Sequence, residues 1–227
     1  LLRSQDPVLA VLGDSSGVEK LLTTYVPVLE AGATVPVTPR FQVLVSSGRT
    51  SCRSPNIQNL PRDGSVRECF IPRPGFQFVS VDYNQLELCA LAQVCLNLFG
   101  RSRMADAINA GRDLHLEFAA QLLDISYDEA LRRKKDPVVK EARQFGKIFN
   151  FGKPGGLGAA TLVEFARTAY GVNMEESRAV ELSDTWFATF PEMRDYFAYI
   201  NELVGDGDAT IESMGSGMRR GGVRSEE

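Results

Sequence analysis

The sequence predicts an α+β fold in which a small sheet is followed by a long helical insertion. Two short β-type runs, "FQVLVSS" at 41–47 and "FQFVSV" at 76–81, both precede residue 82. From residue 85 onward, apolar residues recur at helical spacing almost without a break. A last β-type run, "ATIES" at 209–213, follows the helices. Strands and helices are thus segregated along the chain rather than alternating, the mark of an α+β arrangement.

The elements follow in order. Leu9, Leu12, Val18, Leu21 and Leu22 give residues 7–31 an amphipathic helical pattern, which ends in a loop rich in proline and glycine. After the strand at 41–47, "GRTSCRSPNIQNLP" (48–61) is an extended polar segment closed by Pro61. The turn "RPG" leads into the strand at 76–81, with Asp82 at its end, and "QLELCALAQVCLNL" (85–98) is a strongly apolar helix. Asp113 can cap a helix "LHLEFAAQLL", and Ser126 with Glu129 forms a capping box for a short helix ending in the run Arg132 to Lys135. Asp136 and Pro137 start a helix over 137–152, which Gly152, Pro154 and Gly155 stop. Helical patterns at 159–170 and 175–203 come next, the second interrupted by Pro191, while the final "GMRRGGVRSEE" offers no closing element. With no initiating methionine, the sequence reads as a piece of a longer protein.

With 227 residues, 44% hydrophobic and 24% charged, the chain has room for one large domain or two small ones. The net charge of −4 excludes a protein coated in positive charge, but the balance is uneven. Residues 131–153 hold eight basic residues against Asp136 and Glu141, and residues 40–73 hold six arginines against Asp63 and Glu68. Two local basic zones on an acidic body point to a localised polyanion site. Cys52, Cys69, Cys89 and Cys95 lack C-x-x-C spacing and His115 is the only histidine, which argues against structural zinc. No apolar run reaches about 18 residues and no signal peptide is evident, so an intracellular protein without membrane contact and with reduced thiols is expected.

The helix at 137–152 carries a stripe. With Arg143 at the origin of a helical wheel, Lys147, Lys140 and Phe151 fall at about 40°, 60° and 80°, whereas Phe145, Val138, Phe149 and Ala142 fall between about 200° and 260°. One face is expected to dock on a core and the other to present cations and an aromatic ring. Taken alone, such a stripe is more often a solvated face. Asp82, at the end of a buried strand, suits a divalent cation, with the Tyr83 carbonyl as a second ligand. Taken alone, it is more often a helix cap.

Asp82-Tyr83-Asn84-Gln85-Leu86-Glu87-Leu88 resembles the D-Y-S-Q-I-E-L signature of the family A DNA polymerases. Arg143, Lys147, Phe151 and Gly152 are similar to that family's R-x3-K-x3-F-G fingers helix. Gly48-Arg49-Thr50-Ser51 and Pro55-Asn56-Ile57-Gln58-Asn59-Leu60-Pro61 resemble its T-G-R-L-S-S and P-N-L-Q-N-I-P segments. The motifs occur in the family's order, span about residues 40 to 156, and are joined by Asp113-Leu114-His115, which resembles D-I-H.

The resemblance implies a DNA polymerase I-like palm with an incomplete antiparallel sheet (1–98), a helical fingers subdomain (99–204) and a return toward the palm (205–227). It implies template-directed DNA synthesis by the parent enzyme using two Mg²⁺ ions, with primer–template DNA and dNTPs as partners, in a monomer. Asp82 and Tyr83 would hold metal, with Asp82, Arg143 and Lys147 catalytic. Arg143, Lys147 and His115 would meet the triphosphate, Phe151 the base and sugar, and Tyr83 and Gln85 would join the nucleotide site. Glu87 would block a 2′-hydroxyl, arguing against a single-subunit RNA polymerase relative. Arg49, Gln58 and Asn59 would touch the minor groove, whose acceptors report pair geometry without sequence. Without the resemblance, His115 could instead satisfy a helix end, Glu87 could be a surface carboxylate, and the polar 48–61 residues could satisfy backbone.

The match has gaps. Gly155 stands where the family has a template-guarding tyrosine, pointing to a divergent subgroup such as a viral one; Asn84 replaces serine, and Cys89 replaces a common arginine. No H-D-E occurs in the chain, and Asp206 and Asp208 read as loop residues. The 227 residues by themselves are therefore expected to be inactive, and a nucleic-acid-binding module that kept the fold without catalysis stays open as an alternative.

Overall fold

In the computed structural model, helices account for most of the ordered elements, and two small antiparallel pairs supply the strands. The structure describes residues 6–43, 45, 49–61, 65–205, 209–212 and 219–223. They fall into two units, Leu1–Val81 and Asp82–Glu227.

In the first unit, α1 (Pro7–Lys20) starts where Asp6 accepts hydrogen bonds from Val8 N and Leu9 N. It runs through a π-helical turn at Leu21–Tyr25 into α2 (Val26–Gly32), as the amphipathic pattern predicts. The expected strand at 41–47 contracts to β1 (Arg40–Gln42), which pairs with β2 (Ser51–Arg53) from the polar segment, Phe41 facing Cys52. Residues 44 and 46–48, including Gly48, lie outside the described residues. The expected strand at 76–81 is corrected: the run is irregular, with Phe78 69% and Val81 81% exposed. Its aromatic and β-branched residues suit a strand, but no described strand pairs with it, and an unpaired strand has no ladder to define it. Asp82 accordingly does not sit at the end of a buried strand.

The second unit is built on helices. α3 (Leu86–Phe99) buries Leu88, Ala92 and Cys95 and ends at Gly100, whose positive φ of 68° closes the last turn. α4 (Arg103–Asn109) has no counterpart in the sequence reading; Ser102 caps it, and the buried Glu192 accepts from both Ser102 Oγ and Met104 N at 2.9 Å. α5 (Leu114–Leu122) and α6 (Tyr127–Arg132) carry the expected Asp113 and Ser126 caps. α7 (Pro137–Gly152), α8 (Ala159–Phe165) with its π-helical extension Ala166–Tyr170, α9 (Glu176–Thr189) and α10 (Glu192–Val204) follow the predicted bounds closely. β3 (Ala209–Glu212) pairs antiparallel with β4 (Arg219–Val223), so the C-terminal run does contain an element where none was expected. Backbone pairing with β3 makes that strand despite its lack of apolar alternation. Asp206 and Asp208 lie outside the described residues.

Two apolar clusters meet on α7. Ile148 and Phe149 join the larger one with Phe118, Leu162, Trp186 and Met193, where the Phe118 and Phe149 rings stack at 5.8 Å. Val139 and Ala142 join the smaller one with Leu116, Ala119 and Ala130. Burying side chains of this size contributes about 1.5–3 kcal/mol each against leaving them exposed, so α7 is anchored along its length. The expected face is corrected at one position: Val138 is 51% exposed, and Val139 is the buried residue.

Candidate nucleotide-binding site

The site begins with a mid-helix glycine. A Cβ at Gly146 would lie 2.5 Å from the His115 carbonyl oxygen, a separation real Cβ atoms do not adopt. Glycine therefore lets the start of α5 pack directly on α7. Once the backbones touch, the side chains of the first turn of α5 reach the stripe on α7.

Asp113 links the two helices. Its Oδ1 accepts from His115 N at 3.0 Å and caps α5, while its Oδ2 accepts from Arg143 Nε at 2.9 Å and Nη2 at 2.7 Å. Lys134 Nζ stands 3.6 Å from the same oxygen. Burial by itself would raise the Asp113 pKa, but the Arg143 hydrogen bond and charge, aided by His115, outweigh it and hold the carboxyl below its usual range. Arg143 is thus aimed before any ligand arrives, with two N–H groups on Asp113 and further donors in its fork for a second anion.

Lys147 is half-buried one turn further along, and Phe151 is 42% exposed with its ring 5.4 Å from that of His115. His115 itself is buried. Its Nδ1 lies 3.0 Å from Asn150 Nδ2, and Asn150 Oδ1 accepts from Trp186 Nε1 at 2.8 Å. Burial lowers the His115 pKa; the Asp113 charge and the Gly146 carbonyl oppose this, and the Arg143 and Lys147 charges reinforce it. Sequence reasoning missed Asn150 and Gly146. On the same wheel they fall at about 340° and 300°, between the apolar face and the cationic stripe, so spacing gave no signal for either.

Both shifts carry the same sign for stability. Asp113 is held below its unfolded value, so its contribution is complete above about pH 4 and is lost as pH falls through the lower folded value. His115 is likewise depressed, so its share is complete above about pH 6.5 and falls below it. Asp113→Asn is expected to cost about 1–3 kcal/mol at pH 7 and to flatten the acid limb of urea midpoints measured between pH 3 and 6. An unchanged acid limb would remove Asp113 from this role.

The remaining candidates lie elsewhere. Asp82 and Tyr83 are exposed on the irregular segment before α3; Gln85 precedes the helix at a φ of 54°, and its buried Oε1 has no hydrogen-bond partner among the described residues. The residue at the N-cap of α3 is Gln85, so Asp82 is not that helix's cap. Glu87 is exposed in the first turn of α3, where a carboxylate favours the helix dipole. In the first unit, Gln58 Nε2 donates to Thr50 Oγ1 at 2.9 Å, the Asn59 carbonyl accepts from Tyr25 Oη at 2.9 Å, and Arg49 is exposed. Gly155 lies in a 3₁₀ turn, Lys153–Gly155, where an added Cβ would meet open space. Among the described residues, no three His, Cys, Asp or Glu side chains gather to hold a metal, and no helix is long and apolar enough to cross a membrane.

Residues 1–215 match the profile of DNA polymerase family A. The chain belongs to that family. It is 33% identical over 161 residues to DNA polymerase I of Aquifex aeolicus, covering 70% of this chain and 26% of that protein. It is 29% identical over 214 residues to the thermostable DNA polymerase I of Thermus aquaticus, covering 91% of this chain and 23% of that one. The chain thus spans about a quarter of the length of these relatives. A solved structure, the polymerase domain of Pol1 from M. smegmatis in complex with DNA primer–template and dNTP, superposes with a TM-score of 0.58 at 24% identity, over 80% of this chain and 30% of that one. The fold is that of part of a family A polymerase domain, helical with small antiparallel sheets.

Proposed function

We propose that this chain carries the nucleotide-binding part of a DNA-directed DNA polymerase, and that the whole protein transfers deoxynucleotides from dNTPs to a primer 3′-hydroxyl. The observation that carries the reading is the α5–α7 cluster: Arg143 gripped by Asp113, with Lys147, His115 and Phe151 beside it, in a chain of polymerase family A. Phosphoryl transfer needs alignment and charge compensation more than covalent help, and a pre-aimed guanidinium with an adjacent ammonium offers both.

In this reading Arg143 and Lys147 bind the triphosphate and Phe151 packs on the base and sugar. Glu87 excludes a 2′-hydroxyl, and Arg49, Gln58 and Asn59 follow the minor groove of primer–template DNA. Residues 1–98 form part of a palm, 99–204 the fingers and 205–227 a return toward the palm. Asp82 and the Tyr83 carbonyl are hard oxygen donors on exposed residues, a set that fits Mg²⁺, which takes one or two carboxylates together with substrate phosphates. When bound, Mg²⁺ supplies Lewis-acid stabilisation of phosphate and 3′-oxygen charge. A two-ion site needs a further carboxylate beyond Asp82, so the 227 residues alone do not extend a primer.

The test is binding of each dNTP and the matching rNTP to the polymerase bearing this chain on a primer–template, with Mg²⁺. A preference for the complementary deoxynucleotide is expected. Primer–template binding with steep salt dependence but no nucleotide preference would replace this reading with a non-catalytic binding module.

A further inference from the structure

We propose that Asn150 is a positioning residue that fixes His115 as a neutral imidazole with its proton on Nε2, so that His115 offers the nucleotide a hydrogen-bond donor and no charge. The donor role rests on the nucleotide-binding reading above; the tautomer does not.

The argument runs through three buried side chains, Trp186 at 0%, Asn150 at 1% and His115 at 7% exposure. An indole N–H can only donate, so the Asn150 atom 2.8 Å from Trp186 Nε1 must be the amide oxygen. The amide NH₂ then faces His115 Nδ1 at 3.0 Å, and an NH₂ group can only donate. Nδ1 must accept, which leaves the ring proton on Nε2. Moving a proton to Nδ1 would set it against the amide NH₂, two donors facing each other in a buried site. The contact of the α5 backbone with Gly146 fixes the base of the side chain, and the Phe151 ring flanks the imidazole.

The charged groups around the ring set the context. Asp113 caps its own helix, Arg143 and Lys147 face it from α7, and the Gly146 carbonyl competes for a ring N–H. Next to two cations, an imidazolium would add repulsion before a ligand binds. A neutral ring keeps its donor without that cost.

His115 is the only histidine of these 227 residues, and in long-range ¹H–¹⁵N spectra of the ¹⁵N-labelled polymerase that bears this chain its ring is identified as the signal set lost in His115→Gln. The expected wild-type pattern is an acceptor-type Nδ1 and a protonated Nε2 across about pH 6.5 to 9. Asn150→Asp keeps an acceptor for Trp186 but turns an oxygen toward Nδ1. It is expected to move the proton to Nδ1 and raise the His115 pKa, since a carboxylate beside the ring favours its charged form. Trp186→Phe removes the group that orients the amide and is expected to mix the tautomers. A wild-type ring protonated on Nδ1, donating to Gly146, overturns the proposal without any variant needing to fold. An Nε2 signal unmoved by saturating dNTP, in protein shown by titration calorimetry to bind it, overturns the donor role. Failure to bind dNTP at all overturns the nucleotide reading instead, and the tautomer is still read.

Discussion

Arg143→Ala is expected to lower nucleotide incorporation by about 10²- to 10³-fold in the polymerase that bears this chain, the cost of losing one pre-aimed donor at developing charge, with primer–template affinity nearly unchanged. The geometry explains why the loss is specific. Arg143 is held by one Asp113 oxygen through two N–H groups at 2.9 and 2.7 Å, which fixes the guanidinium while leaving it further donors for a phosphate. Lysine cannot replace it, because a point charge lacks the fork that grips Asp113 and a phosphate at once. Arg143→Lys should therefore recover little. The substitution to alanine also strands a half-buried carboxylate, with Lys134 at 3.6 Å its remaining cation, so a stability loss of about 1–3 kcal/mol is expected alongside. Single-turnover incorporation on saturating primer–template, at a temperature where the variant is folded, separates the two effects. Equal loss of DNA binding and incorporation would count against the assignment of Arg143 to the nucleotide.

The bounds of α7 were legible because its ends are written in local chemistry: Asp136 caps, Pro137 opens and Gly152 closes. Its buried face was less so. A helical wheel assumes one partner along the whole helix, but α7 packs its first half on Leu116 and Ala130 and its second half on Phe118 and Trp186. The buried arc therefore changes partners between Val139 and Phe149, and Val138, expected inside, faces water. α4 escaped notice because it is short and is held by Glu192, a residue 90 positions from its Ser102 cap. The 76–81 run shows the opposite failure. Its aromatic and β-branched residues suit a strand, yet pairing is a property of two segments, and one segment's sequence does not contain its partner.

The stripe of Arg143, Lys147 and Phe151 was visible in the sequence as spacing. What spacing could not reveal is that Asp113 and His115 reach it from α5, because that depends on Gly146 letting two backbones meet. Nor could it reveal the chain from Trp186 through Asn150 to His115, which joins residues 35 and 36 positions apart. These contacts decide the charge and direction of the site's donors, so the chemistry is set by tertiary packing while the residue types are set locally.

Asp82→Asn tests the other half of the chemistry and should give the larger loss, about 10³-fold or more in incorporation, since metal stabilisation of transition-state charge is worth several kcal/mol. The substitution keeps size and shape and removes only the charge. Asp82 is exposed on an irregular segment, and a change at such a position is expected to alter stability by no more than about 0.5 kcal/mol. A fall in rate with an unchanged unfolding midpoint would therefore report chemistry rather than folding. The variant should also differ from Arg143→Ala in its response to metal. Amide oxygen remains a weak oxygen ligand, so raising Mg²⁺ is expected to recover part of the Asp82→Asn rate and none of the Arg143→Ala rate. The placement of Asp82 adds a condition. It follows the 76–81 run, which pairs with no described strand, and a metal ligand on unpaired backbone is not held to a productive geometry. Its affinity for Mg²⁺ should then rise when nucleotide phosphates supply further oxygens, as expected for a cation that prefers a few carboxylates plus substrate. Unchanged incorporation in Asp82→Asn, or equal metal rescue of both variants, would remove Asp82 from the metal site.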